Sequence, residues 1–316
     1  VKRVAVIGAG SFGRNHVRVV RESERAELAF VVDPDQMRAA EHAGGATTTA
    51  DYRDVIGKVD AAIVAAPTVL HAEIGVALLE AGIDVLVEKP IAATLKEADR
   101  LVKAAERGGR ILQVGHLERF NPAVVELEKR SKLPLFFEIH RMSVFTLRSL
   151  DVDVVLDLMI HDLDIVRALT KGKLKEIRAA GISVLSPKVD IANVRLEFTD
   201  GCVANLTASR VSTEKIRKLR MFQPRQYISL DYAKQSGAVF SVGGPQGIDF
   251  EEMKIESAEP LKLQFDAFLD SVETREAPKL DGRKARQTLE IALAVVAKIE
   301  EHASVVEKTL AAGWKP

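Results

Sequence analysis

The stretch Gly8-Ala9-Gly10-Ser11-Phe12-Gly13 directly follows the apolar run Arg3–Ile7 and opens a helical pattern, and its reading decides the fold of the first third of the chain. A bare glycine pattern says little, because glycine occurs in turns of every sort. Its place between a strand and a helix gives it meaning. Gly8 permits the tight turn, Gly10 lets the backbone approach a pyrophosphate at the helix N-terminus, and Gly13 lets helix and strand pack closely. Ser11 and Phe12 complete the loop. Asp33 ends the second apolar run, where a carboxylate accepts hydrogen bonds from an adenosine ribose. The same carboxylate repels a 2′-phosphate, so the expected cofactor is NAD rather than NADP.

Outward from this loop the pattern repeats. Leu28–Val32, Ala61–Ala65, Ile83–Val87 and Arg110–Val114 are rich in Val, Ile, Leu and Ala without alternation, as parallel strands covered on both faces should be. Helical segments separate them. Thr94 and Glu97 form a capping box for a helix to Glu106, stopped by Gly108-Gly109, and a second helix over His71 to Ala81 ends at Gly82. Strand, helix, strand at this spacing predicts a doubly wound domain over residues 1–119.

Beyond about Leu117 the grammar changes. A helix after Pro122, a strand over Leu135–Arg141 and a long apolar helix from Asp153 to Leu169 precede strands of period two. Val194, Leu196 and Phe198 fall on one face, Arg195, Glu197 and Thr199 on the other, and Asp200-Gly201 makes a hairpin turn. Further strands follow over Val203–Val211, Leu219–Phe222, Tyr227–Leu230, Val239–Val242 and Phe250–Ile255, then helices over Leu261–Thr274 and Arg283–His302. The expected architecture is α/β: an N-terminal doubly wound Rossmann domain, then a C-terminal α/β domain (120–316) with a large, mainly antiparallel open-faced sheet. Its helices suffice for one face, so the face carrying Arg195 and Glu197 is expected to meet a second copy, in a homodimer or homotetramer.

Composition bounds the partners. The 316 residues suit two domains, and 45 Lys+Arg against 45 Asp+Glu argue against a protein whose main task is holding nucleic acid or an anionic membrane. Cys202 is the single cysteine, which excludes an intramolecular disulfide or a multi-cysteine metal site and suits a reducing compartment. It sits beside the hairpin turn and reads as structural. No run of eighteen apolar residues occurs and the chain starts as a strand, so a cytoplasmic protein with neither export signal nor membrane span is expected.

Several phrases stand at element ends. Ala66-Pro67-Thr68 with His71 follows the third strand, and Val87-Glu88-Lys89-Pro90 the fourth. Gly115-His116 precedes Arg119-Phe120-Asn121-Pro122, the long helix carries Asp157-Leu158-Met159-Ile160-His161-Asp162, and Glu259-Pro260-Leu261 precedes the penultimate helix. On these residues the chain resembles the glucose-fructose oxidoreductase / inositol dehydrogenase (Gfo/Idh/MocA) family, whose most characteristic mark is Glu-Lys-Pro at a strand end. The phrases from Leu112 to Pro122 and from Lys215 to Arg220 are most similar to the branch that oxidises the 3-hydroxyl of UDP-N-acetylglucosamine-type sugars. Met159 departs from the glycine of many members and leaves the Asp/His pair intact.

The resemblance implies an NAD-dependent dehydrogenase with Lys89, Asp157 and His161 as its catalytic group. It also implies cofactor contacts from Pro67, Thr68, His71, Glu88, Lys89 and Pro90. The residues themselves are consistent with this. Lys89 lies at the carboxyl end of a parallel strand, where open α/β sheets place ligands, although on position alone a solvated surface lysine is the better reading. Asp157 and His161 are four apart on an expected helix, so the carboxylate can orient the imidazole for a proton relay. Apolar neighbours from Val154 to Ile160 bury that helix, so its polar groups must be satisfied or used. Asp162 and Asp164 enlarge the acidic cluster, but Asp162 lies on another face and no metal is expected. Lys89 and His161 both remain candidates for the immediate proton acceptor.

For substrate, Arg119 and Asn121 are expected to face the interdomain cleft, alongside Lys89 and His161. Arg210, Lys215, Arg217, Lys218 and Arg220 offer donors of the sign a diphosphate needs, though such a run also describes a solvated strand edge. The expected partner is a small-molecule sugar nucleotide, oxidised to a 3-keto product. Its rivals are an inositol-type polyol or free-sugar dehydrogenase and a non-catalytic NAD-binding sensor.

Overall fold

The computed structural model describes residues 1–146, 152–243 and 247–313. The chain begins with β1 (Lys2–Ile7), α1 (Gly13–Glu22), β2 (Ala26–Val32), α2 (Gln36–Ala43) and β3 (Thr47–Thr49). It continues with β4 (Ala61–Val64), α3 (Thr68–Glu80), β5 (Asp84–Glu88), α4 (Leu95–Gly108) and β6 (Leu112–Gly115). The middle holds α5 (Pro122–Arg130), β7 (Phe136–Val144), a π-helical turn over Val155–Met159, α6 (Ile160–Leu169), β8 (Leu174–Ile182), β9 (Ile191–Phe198) and β10 (Val203–Ser212). Then come β11 (Ile216–Gln223), β12 (Gln226–Asp231), β13 (Ser236–Val242), β14 (Ile248–Glu252), α7 (Pro260–Thr274) and α8 (Gly282–Gly313).

Contacts divide the chain into two units: Val1–Phe120 with Glu259–Leu289, and Asn121–Ala258 with Glu290–Pro316. The first boundary falls beside the expected cut after residue 119. The return of residues 259–289 to the first unit is new. There α7 lays Leu261, Phe265, Phe268, Leu269 and Val272 into the core that also holds Val17, Val20, Val31 and Leu86. Apolar periodicity says that a helix buries a face, not which surface it buries it against.

In the first unit six parallel strands run in the order β3-β2-β1-β4-β5-β6. The order reverses between β1 and β4, the switch point at which such sheets bind ligands beyond their carboxyl ends. Every residue of β4 and β5 is buried, as the absence of alternation predicts. Thr94 and Glu97 make the expected capping box, and Gly109 ends α4 in the left-handed conformation. The three threonines of β3 are too few and too polar to show as a strand in the sequence.

The second unit carries an eight-stranded sheet ordered β14-β13-β12-β11-β7-β10-β9-β8. All its pairings are antiparallel except β10 with β7. On β11 Leu219, Met221 and Gln223 are buried, while Lys218, Arg220 and Phe222 are exposed. One parity faces a core that includes Met159, Leu163 and Val166 of the helical segment, and the other forms an open face. The sequence reading lacks β8, whose burial barely alternates at the sheet edge. Cys202 is buried, and burial pushes its thiol up to about 11, as befits a structural residue.

Candidate active site

In the glycine loop, Gly8 has φ +95°, and a Cβ there would lie 2.6 Å from the Ala65 carbonyl oxygen, at the end of β4. A Cβ on Gly13 would lie 1.8 Å from the Gly8 oxygen, so only glycine lets α1 start this close to the loop. At Gly10 a Cβ would meet no protein atom within 4 Å, which leaves bare backbone on the outer side. Helix α1 begins with no side-chain cap and no acid in its first turn, so its positive end is not offset locally. Ser11 and Phe12 are exposed beside it. This cradle fits a pyrophosphate.

Asp33 is buried and braces the loop: Ala9 N–H donates to its Oδ2 (2.8 Å) and Asp35 N–H to its Oδ1 (2.9 Å). Arg38 Nη1 lies 3.7 Å from Oδ2, a neighbour that the sequence reading did not single out.

The ends of β4 and β5 are tied together by His71, whose Nδ1 lies 2.9 Å from the Pro90 carbonyl and Nε2 2.8 Å from the Ala66 carbonyl. Burial pushes His71 below the ordinary imidazole value, against the opposing pull of the two carbonyls and of Glu88. A neutral ring has one N–H, so only one of the two contacts is a full hydrogen bond at any instant. Pro67 is exposed and precedes α3, which starts at Thr68, three residues before the expected start at His71. The Lys89-Pro90 peptide is cis. Glu88 is buried: its Oε2 accepts the Lys89 N–H (3.1 Å), and its Oε1 lies 2.7 Å from His16 Nε2 on α1. His16 was legible in principle. It shares a helical face with Gly13, Val17 and Val20, where a polar side chain needs a buried partner.

In the second unit the expected uninterrupted helix is broken. Val155–Met159 form a π turn, and the regular helix starts at Ile160. Asp157, half-buried, lies within that turn, and buried His161 in the first turn after it. One extra residue per turn alters the facing relation that an α-helical spacing of four would produce, and such turns recur at functional sites. Asp153, at the helix start, accepts the Val155 N–H (3.0 Å), while burial raises its carboxyl above the usual range.

Asp162 is committed to Arg141 on β7. The guanidinium donates through Nε (2.7 Å) and Nη2 (2.9 Å) to its two oxygens, with both side chains nearly fully buried. Arg141 also lies over the Tyr232 ring. A carboxylate held bidentately in this way is a strut between sheet and helix rather than a metal ligand.

The expected substrate residues separate. Asn121 caps α5, accepting the Ala123 N–H (3.1 Å), and donates to the Tyr232 carbonyl (3.2 Å). Arg119 is buried in the 3-10 turn Leu117–Phe120, its carbonyl accepting from Lys279 Nζ (2.9 Å). Arg210 is buried, donates to the Val152 carbonyl and lies 3.8 Å from Asp190. Lys215 is exposed between β10 and β11. Arg217 is half-buried on the core-facing parity of β11, paired in register with Arg141. Lys218 and Arg220 lie on the open face, with Arg220 3.0 Å from Glu138. The basic run is therefore divided by strand parity and does not present one surface.

Two family models match the chain: "Oxidoreductase family, NAD-binding Rossmann fold" over residues 2–116 and "GFO/IDH/MocA C-terminal domain" over residues 131–226. The UDP-N-acetylglucosamine 3-dehydrogenase of Acidithiobacillus ferrooxidans is 32% identical over 306 residues, covering 94% of this chain and 97% of that protein. Its crystal structure superimposes with a TM-score of 0.91 over 95% of this chain and 98% of its own. Inositol 2-dehydrogenase 1 of Saccharopolyspora erythraea is 27% identical, covering 98% of this chain and 97% of that protein. With both models matched and the first of these relatives aligned along nearly its whole length, the chain belongs to the Gfo/Idh/MocA family of NAD-binding oxidoreductases.

Proposed function

We propose that the protein is an NAD-dependent dehydrogenase that oxidises the 3-hydroxyl of UDP-N-acetylglucosamine, or a close UDP-sugar, to the 3-keto sugar. The observation that carries this reading is the 32% identity to a UDP-N-acetylglucosamine 3-dehydrogenase over 94% of the chain. The nicotinamide supplies the hydride acceptor. Lys89 or His161 takes the hydroxyl proton, and Asp157 orients the imidazole. Gly8, Gly10, Ser11, Phe12 and Gly13 hold the pyrophosphate. Pro67, Thr68, Glu88, Lys89 and Pro90 shape the nicotinamide end, and His71 holds their two loops. Lys215 and Arg217 are the donors assigned to the diphosphate, with Arg119 near the sugar. Asn121 and Arg210 have their groups engaged in capping and bracing, and their part in binding is indirect.

NAD is favoured over NADP because the Asp33 carboxylate is buried and fixed by two backbone N–H groups, so it cannot swing away from a 2′-phosphate. A homo-oligomer through the open sheet face is supported by a ladder of aromatic rings across five neighbouring strands. Phe136, Phe222, Tyr227, Phe240 and Phe250 follow one another at centroid distances of 5.8, 4.8, 5.4 and 5.1 Å, and Phe250 is 64% exposed. Arg195 and Glu197 lie on the same face. Among the described residues no helix is long and apolar enough to cross a membrane, and a lone buried cysteine suits the cytoplasm.

The test is NADH formation with UDP-N-acetylglucosamine, free N-acetylglucosamine and myo-inositol, in wild type and Lys89→Ala. Turnover with the nucleotide sugar alone, reduced about 10²–10⁴-fold in the variant, is expected. Turnover with inositol instead would replace this reading by the polyol one, and NAD binding without any turnover would favour a sensor.

A further inference from the structure

His16 lies outside the catalytic and binding roles above, yet it reaches from α1 to the strand end bearing Lys89. It is fully buried, with Phe12 of the glycine loop packed edge-on against its ring at 5.4 Å. Its Nε2 lies 2.7 Å from Glu88 Oε1, and in the tautomer that carries the proton on Nε2 the ring donates to that oxygen. The other oxygen of the same carboxylate accepts the Lys89 backbone N–H at 3.1 Å. The carboxylate is also walled in. A Cβ on Gly115 would lie 2.5 Å from Oε1, so the missing side chain on β6 is what makes room for it.

We propose that His16 is a positioning residue for Lys89: by anchoring Glu88 it fixes the peptide that presents the lysine, and so couples the glycine loop to the reacting end of β5. On the far side of Lys89, His71 holds the Pro90 carbonyl, so the lysine is suspended between two histidine-anchored points, one on α1 and one on α3. Without His16 the Glu88 carboxylate would be buried with an unmatched oxygen, a situation relieved only by rotation or protonation. Rotation releases the Lys89 N–H, and a proton on the unmatched oxygen weakens the other oxygen as its acceptor. A displacement of about 1 Å at a reacting group lowers turnover by up to about 100-fold.

The inference rests on Lys89 acting in catalysis, and the test separates the two. Compare wild type, His16→Leu, His16→Gln, Lys89→Ala and the His16→Leu/Lys89→Ala double variant by steady-state kinetics. In the protein without cofactor, follow the Lys89 side-chain resonance after ¹³C-methylation of the lysines, assigned with Lys89→Arg. Expected are a roughly 10- to 100-fold fall in kcat for His16→Leu with KM for NAD little changed, and recovery in His16→Gln, whose amide still donates to Glu88. A shifted Lys89 resonance in His16→Leu is also expected, as is a double variant no slower than Lys89→Ala. Wild-type kcat and an unmoved resonance in His16→Leu, or a double variant slower than Lys89→Ala by the full single-variant factor, would overturn the proposal. Full activity in Lys89→Ala would instead remove the reading beneath it. Should His16→Leu not fold, Glu88→Gln carries the same comparison, with the same resonance as readout.

Discussion

The two sheets reach burial by opposite routes, and the contrast explains where each can carry chemistry. In the parallel sheet both faces are covered and every side chain of β4 and β5 is buried, so a strand interior cannot meet a ligand. Its candidate site residues sit where the strands stop: Gly8 after β1, Asp33 after β2, Lys89 after β5. In the eight-stranded sheet alternate residues face alternate sides, so mid-strand positions are usable. Arg141 in the middle of β7 grips a helix from one face, while Phe222 and Tyr227 stack on the other. Backbone termination selects the candidate residues in one sheet, and side-chain parity decides which face a residue serves in the other.

The largest expected effect breaks the parity rule at its most committed position. Arg141→Ala leaves Asp162 charged and buried without its bidentate donor, and should lower unfolding free energy by about 3–5 kcal/mol in urea titrations. Replacing both partners by apolar residues of similar volume should restore most of it. Loss in the double variant as large as in the single one would mean that packing, not charge, is at stake.

Parity is sharpened further by two adjacent residues. Met221→Ala on β11 empties a fully buried site and should cost about 2–5 kcal/mol. Its neighbour Phe222, on the open face, should lose only about 0.5–1.5 kcal/mol of ring stacking as Phe222→Ser in the monomer. Sedimentation of Phe222→Ser should show weakened self-association. Equal destabilisation at the two positions would contradict the faces assigned here.

At the strand ends the expected changes are in selectivity. Asp33→Ser removes the carboxylate and leaves Arg38 beside the vacated position, so kcat/KM for NADP relative to NAD should rise by roughly tenfold or more. An unchanged ratio would mean that Asp33 only braces the loop through Ala9.

The smallest effect concerns pH. The folded protein holds His71 below its ordinary value near 6.5, chiefly by burial, so the unfolded chain binds the proton more readily. The stability this represents is present above about pH 6.5 and is lost as pH falls through the lower folded value, at no more than about 1.4 kcal/mol per pH unit. His71→Asn should lack that slope. Urea midpoints at about pH 7.5 and about pH 5.5 would reveal it, and equal slopes in the two proteins would refute it.

Much of the first unit was legible because its signals are local. The glycine loop, the unalternating strands and the Thr94/Glu97 box each depend on residues within a few positions of one another. The candidate site was legible as a set of residue types at element ends. Its internal connections were not: the π turn at Asp157 interrupts a stretch whose apolar composition reads as plain helix, and no spacing rule predicts it. The run from Arg210 to Arg220 reads as one patch, yet pleating sends Arg217 inward and Lys218 and Arg220 outward.

The sequence by itself determined the order and type of most elements, the glycine loop between strand and helix and the candidates for proton transfer, since these follow from local backbone preference and side-chain chemistry. Only the tertiary structure decided which buried polar groups satisfy each other and to which unit a helix belongs. His16 and Glu88 are 72 residues apart, Arg141 and Asp162 21, and α7 returns to the first unit from beyond the whole antiparallel sheet. Such pairings are chosen by the shared need to bury apolar surface without orphaning a charge or a hydrogen bond, a condition that belongs to the assembled core and has no signature in any single segment.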